Sequence, residues 1–201
     1  MNKGRCSVCG RVSDRWCPGL DKDLCSRCCG LERGRTIVCR KDCRHLQAAE
    51  ARLQTRRARE LEQAWGTWLP ELARTEGEDV LPYVEFLGRV LATLLRKELA
   101  SDGEVEAALR HLDQQLSPVV LVSPAPPPLG RALGEALVPL HHKRSLDGEK
   151  LRKVARAMAD WVRSFRSDQD NTRFVRGLLG LFPPEHEPPS PGLIVRPGQA
   201  P

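Results

Sequence analysis

Eight cysteines, all lying between Cys6 and Cys43, constrain the fold of this 201-residue chain more than any other feature. Residues 1–45 combine them with Gly, Arg and Asp and only scattered apolar side chains, so this segment needs a staple to close a core. Cys6-Ser7-Val8-Cys9 and Cys25-Ser26-Arg27-Cys28 are two Cys-x2-Cys pairs separated by 15 residues. That spacing suits four sulfurs around one tetrahedral zinc ion, each pair held by a tight knuckle turn. Gly10, directly after Cys9, supplies the permissive backbone such a turn requires. The remaining four, Cys17, Cys29, Cys39 and Cys43, lie within and beyond this frame, and by elimination they form a second, interleaved site. The adjacent Cys28 and Cys29 are expected to serve different metals. Asp21 and His45 are alternative fourth ligands of the second site, because carboxylate and imidazole both bind zinc. Cys43 follows Asp42, a candidate helix cap, and would offer its sulfur from the first turn of a helix.

The rest of the chain predicts a mainly α protein, in which the small N-terminal zinc-binding module leads into an all-α helical domain over 46–182. Apolar residues at helical spacing, Leu46, Ala49, Leu53, Leu61, Ala64, Trp65 and Trp68, define a long helix from about His45 to Leu69, stopped at Pro70. About five helices are expected to follow. Asp79 to Ala100 is the most apolar segment and the expected central helix, with Val80, Val84, Leu87, Val90, Leu91, Leu94 and Leu95 on a wide face. Ser101 and Glu104 make a capping box for the next helix, which carries Val105, Leu109, Leu112 and Leu116. A proline-rich break covers 118–128, where Val119 to Val122 reads as a short strand or extended piece, and Pro124 and Pro126 to Pro128 as loop or polyproline. Helical periodicity resumes over Leu129 to Leu140 and again after Ser145, through Leu151, Val154, Met158, Trp161 and Phe165. A short helix over about Asn171 to Leu181 precedes a proline-rich tail, 183–201, whose composition predicts disorder.

Charge divides the chain unevenly. Residues 1–60 hold 15 Lys and Arg against 7 Asp and Glu, whereas residues 61–201 hold 17 against 19. Zinc binds thiolates, so eight ionised cysteines with two zinc ions would remove four positive charges from the basic end. The apolar stretches are too short to cross a bilayer, and Met1 to Cys9 has no apolar signal-peptide run, which places the expected compartment in the cytoplasm. Cysteines in a reducing compartment read as metal ligands before disulfides.

The order Cys6-Ser-Val-Cys9-Gly10, Cys17-Pro18, Cys25-Ser-Arg-Cys28-Cys29-Gly30, Ile37-Val-Cys39 and Asp42-Cys43 resembles the interleaved two-zinc modules of the treble-clef and cross-brace kind, such as MYND, HIT and B-box fingers. It is also similar to the N-terminal segment of uncharacterised bacterial zinc-binding proteins. The likeness covers about residues 4–46. It implies protein–protein recognition more often than DNA reading. Cys17 has no Cys-x2-Cys partner, and the vicinal Cys28-Cys29 departs from the usual spacing of the named fingers.

An all-cysteine shell leaves no coordination position for water or substrate, so the metal is expected to be structural and the chain non-enzymatic. The remaining sequence holds no phosphate-binding glycine loop, nucleophile elbow or His-Glu-x2-His motif. His141-His142, beside Lys143-Arg144, reads as a solvated loop. The function expected is that of an adapter with a protein partner. The alternative is a nucleic-acid-binding regulator using Arg33, Arg35, Arg40, Lys41 and Arg44 with Arg52, Arg56, Arg57 and Arg59. A 4% aromatic content leaves few rings for stacking on single strands.

Overall fold

The computed structural model describes residues 4–98, 100–118, 125–142 and 145–184. Expectations for Val119 to Val122, for Pro124, for Lys143-Arg144 and for the tail beyond 184 lie outside the described residues. Two short strands, β1 (Arg15–Cys17) and β2 (Lys22–Leu24), are followed by seven helices: α1 (Ser26–Glu32), α2 (Arg44–Glu76), α3 (Leu81–Lys97), α4 (Asp102–Gln115), α5 (Pro128–His142), α6 (Gly148–Phe165) and α7 (Arg173–Leu181). The architecture is mainly α with a small N-terminal module, as the sequence predicts. The chain divides into two compact units after Leu53, a point inside α2.

In the first unit, β1 and β2 form an antiparallel hairpin that pairs Trp16 with Asp23. Its turn is closed by hydrogen bonds from the Leu20 and Asp21 amides to the Cys17 carbonyl, and Asp21 takes a left-handed φ of 55°. The buried set here is Cys6, Cys17, Leu24, Cys28, Cys29 and Ile37. Only Leu24 and Ile37 among these are ordinary apolar side chains, so cysteine forms most of this core.

The helical unit corrects four expectations. Pro70 lies inside α2, which continues to Glu76. Proline removes one backbone donor and costs about 3 kcal/mol within a helix, and the residues beyond it recover that loss by burying Leu72. Pro128 opens α5 instead of closing a loop, because the first helical turn has no internal partner for the missing N–H. His141 and His142 fall in the last turn of that helix. The most extensive helix packing is that of α4 on α6 and α5, so α4, not the more apolar α3, is the hub. Its low hydropathy hides the fact that Glu106 and His111 are buried. Three guanidiniums permit this for Glu106: Arg163 Nε at 2.7 Å, Arg166 Nη1 at 3.1 Å and Arg110 Nε at 3.2 Å.

The capping box at Ser101 and Glu104 forms as predicted. Asp102 beside it is buried, and its two carboxylate oxygens accept hydrogen bonds from the Phe174 and Val175 amides, each at 3.0 Å. One side chain thus joins the start of α4 to the start of α7.

Helix α7 approaches α2 closely through glycine. A Cβ on Gly177 would stand 2.9 Å from the Arg57 carbonyl oxygen and 3.0 Å from Leu61 Cβ. Backbone cannot yield as a flexible side chain does, so Gly177→Ala is expected to destabilise the helical unit by about 1–3 kcal/mol in chemical denaturation.

Arg57 holds the same contact electrostatically, with Glu60 Oε2 at 2.6 Å and Asp170 Oδ2 at 2.5 Å. The Arg57 guanidinium keeps the Glu60 carboxyl below its ordinary 4.5. Burial raises the Asp170 carboxyl, but hydrogen bonds from Thr172 and Arg57 outweigh it and leave the group below its ordinary 3.8. Carboxyls depressed in the folded state add stability above their ordinary values and lose it as pH falls through the folded ones. Melting temperature is therefore expected to fall on acidification below these values, and Arg57→Met should flatten that dependence.

Candidate metal centre

The first cluster is assembled by two local turns. Cys6 to Gly10 form a knuckle in which the Gly10 amide donates to the Cys6 carbonyl at 2.9 Å, with Gly10 at a left-handed φ of 70°. Cys25 caps α1, and its sulfur accepts the Cys28 amide at 3.4 Å. The Cys6, Cys9, Cys25 and Cys28 sulfurs consequently lie within 4.8 Å of one another. Four sulfurs placed about 2.3 Å from a central zinc ion stand about 3.8 Å apart. The Cys9 and Cys25 sulfurs are separated by 3.7 Å. The donor set thus fits a tetrahedral ion, and neither His nor carboxylate belongs to the group.

Cys6 and Cys28 are buried, Cys25 is half-buried and Cys9 is exposed. Their crowding divides the thiols electrostatically. Burial opposes ionisation of Cys6, yet hydrogen bonds from the backbone at Cys25, Cys9 and Val8 and from the Cys9 thiol bring it down to about 6. The Cys28 amide lowers Cys25. Cys28 is pushed up by the neighbouring Cys9 and Cys25 sulfurs. Each negative charge hinders the next, and a divalent cation at the centre would relieve that repulsion.

The other four cysteines come from four different elements: Cys17 ends β1, Cys29 lies in α1, Cys39 in the following loop, and Cys43 at the N-cap of α2. The N-cap position is occupied by Cys43 and not by Asp42. The Cys43 carbonyl accepts the Leu46 and Gln47 amides, while Asp42 pairs with Arg40. All four cysteines line one small cavity together with Arg33 and His45. Burial raises the Cys39 thiol, and the Cys29, Cys43 and Cys17 charges add to that shift against the opposing effect of Arg33. Asp21 does not line the cavity and is exposed in the hairpin turn.

Two arginines are turned toward the cysteines. Arg33 donates to the Cys29 sulfur at 3.8 Å and to the His45 carbonyl at 3.3 Å. Arg15 also places its guanidinium against Cys29. The sequence carried a signal only for Arg33, which stands one helical turn after Cys29.

Compared with protein-family models, with curated proteins and with solved structures, the chain matches none. The likeness to MYND, HIT and B-box fingers therefore rests on cysteine order alone. Fold and site together define a mainly α protein whose N-terminal cysteine cluster could hold a metal ion. No helix among the described residues is long and apolar enough to cross a membrane.

Proposed function

We propose that the ion held by Cys6, Cys9, Cys25 and Cys28 is zinc, that its role is structural, and that the module it shapes docks a protein partner, making the chain a non-enzymatic adapter. Thiolate ligands in tetrahedral array favour zinc among the common divalent ions. Four sulfurs fill its shell and leave no site for a reacting water.

One observation carries the adapter reading. Among the described residues, every strongly exposed large apolar side chain belongs to the module: Val8, Val12, Trp16, Leu31 and Val38, with Trp16 at 52% and Val38 at 88% exposure. The helical unit exposes no such single side chain among its described residues. Apolar groups left in water at that density favour a macromolecular contact over a solvated surface.

Arginine supports the second reading, phosphate binding, less than its count suggests. Arg33 is directed at sulfur, and Arg57 is only 16% exposed in its ion pairs. Arg35, Arg40, Lys41, Arg44, Arg52, Arg56 and Arg59 stay exposed. The test compares zinc-loaded wild type with Trp16→Ser/Val38→Asp and with Arg56→Glu/Arg59→Glu in capture experiments after nuclease treatment. The adapter reading expects a saturable protein ligand that the apolar pair of substitutions abolishes at unchanged zinc content and melting temperature. Binding to duplex nucleic acid that weakens steeply with salt and is lost only in the charge-reversed protein would replace it with the nucleic-acid reading.

A further inference from the structure

We propose that Cys17, Cys29, Cys39 and Cys43 bind a second divalent metal ion, with Arg15 and Arg33 balancing the charge of its shell. The proposal is separate from the docking reading and adds a site to the module beyond the Cys6, Cys9, Cys25 and Cys28 cluster.

Convergence is the first argument. Four cysteines from a strand end, a helix, a loop and a helix N-cap line a cavity of about 10 Å³. That space is of the size of a single water or ion and admits no organic ligand. Cys17 and Cys29 are buried, at 7% and 6% exposure, and Cys39 and Cys43 are half-buried. The setting is therefore enclosed, and binding would draw together four sulfurs that, unlike those of the first cluster, do not all lie within 4.8 Å of one another.

Charge is the second argument. Four thiolates around one divalent ion leave two negative charges, which Arg33 offsets together with Arg15, a guanidinium shared with Asp14. Arg33 donates to Cys29 Sγ, and Arg15 lies against the same sulfur while pairing with Asp14 at 3.2 Å. Arginine directed at sulfur has an electrostatic purpose when the sulfur is a thiolate, the form a metal binds.

The third argument is an unpaired atom. His45 Nε2 is buried at this cavity without a hydrogen-bond partner. A group held in the cavity would give that buried nitrogen the neighbour it lacks. The arrangement closes a structural ring: the metal joins β1, α1, the loop carrying Cys39 and the first turn of α2, which Cys43 caps.

The test is a cobalt(II) titration of the full chain, stripped of metal and kept reduced, read by the sulfur-to-cobalt charge-transfer band and checked by native mass spectrometry with zinc. Two equivalents are expected in the wild type and in His45→Gln, and fewer than two in Cys39→Ser and in Cys9→Ser. One equivalent that Cys9→Ser abolishes would overturn this proposal and leave the first cluster standing. One equivalent that Cys39→Ser abolishes and Cys9→Ser retains would support this proposal and remove the first cluster. If a single substitution unfolds the module and loses all metal, the wild-type count alone decides: two equivalents uphold the proposal, and one overturns it. A second equivalent lost in His45→Gln but kept in Cys43→Ser would overturn the four-sulfur shell.

Discussion

Cys9→Ser is expected to unfold the N-terminal module while the helices from α3 to α7 keep their structure. Cys9 is the exposed member of its cluster, so exchanging sulfur for oxygen there opens no cavity in the core. The change removes one ligand from the proposed zinc shell. A structural zinc contributes on the order of 10–16 kcal/mol to folding in modules of this size. Burial of Leu24 and Ile37, the two ordinary apolar side chains in this core, supplies only about 3–6 kcal/mol. The metal term is larger, and weakening it should leave the first unit without sufficient support. Hydrogen exchange would show amide protection lost across residues 4–43 and retained in the helical unit. Full protection throughout, with unchanged metal content, would remove the structural role assigned to this cluster. Chelation of the wild type should reproduce the same pattern.

Trp65→Ala is expected to be the most damaging single change in the helical unit, at about 3–5 kcal/mol. Trp65 is 6% exposed, and its ring stands 6.4 Å from Trp68, 6.3 Å from Trp161 and 6.2 Å from Phe182, centroid to centroid. It thus joins α2 to α6 and to the residue that ends α7, and truncation would leave a void bordered by three aromatic rings. Its indole N–H is buried without a partner. Trp65→Phe should therefore cost far less, because it keeps a ring in place and removes an unsatisfied donor. Urea denaturation of both variants separates these effects. Equal losses would contradict this and show that a phenyl ring does not replace the packing of the indole.

Local pattern made much of this architecture legible. Cys-x2-Cys spacing places two sulfurs within one turn, so the first cluster could be read from residues 6 to 28. The apolar stripe through Val84, Leu87 and Leu91 and the capping box at Ser101 are equally local, and each appears where its pattern predicts. Features that depend on distant partners were not legible in the same way. Cys17, Cys29, Cys39 and Cys43 have no common spacing, and only the fold of the hairpin against α1 and the start of α2 brings them to one cavity. The continuation of α2 through Pro70 follows from burial beyond the proline, which local backbone preference cannot register. Glu106 resembles a solvent-facing residue until Arg110, Arg163 and Arg166 surround it. Arg33 and Arg57 appeared to belong to one basic stripe. Folding divides them between a cysteine sulfur and a pair of carboxylates.

X-ray absorption at the zinc edge on the reduced full chain reads directly whether the proposed zinc shell is closed and all sulfur. Four sulfur scatterers at about 2.3 Å from each zinc ion are expected, with no nitrogen or oxygen shell. A light scatterer at about 2.0–2.2 Å, or a chain purified under reducing conditions without zinc, would contradict it.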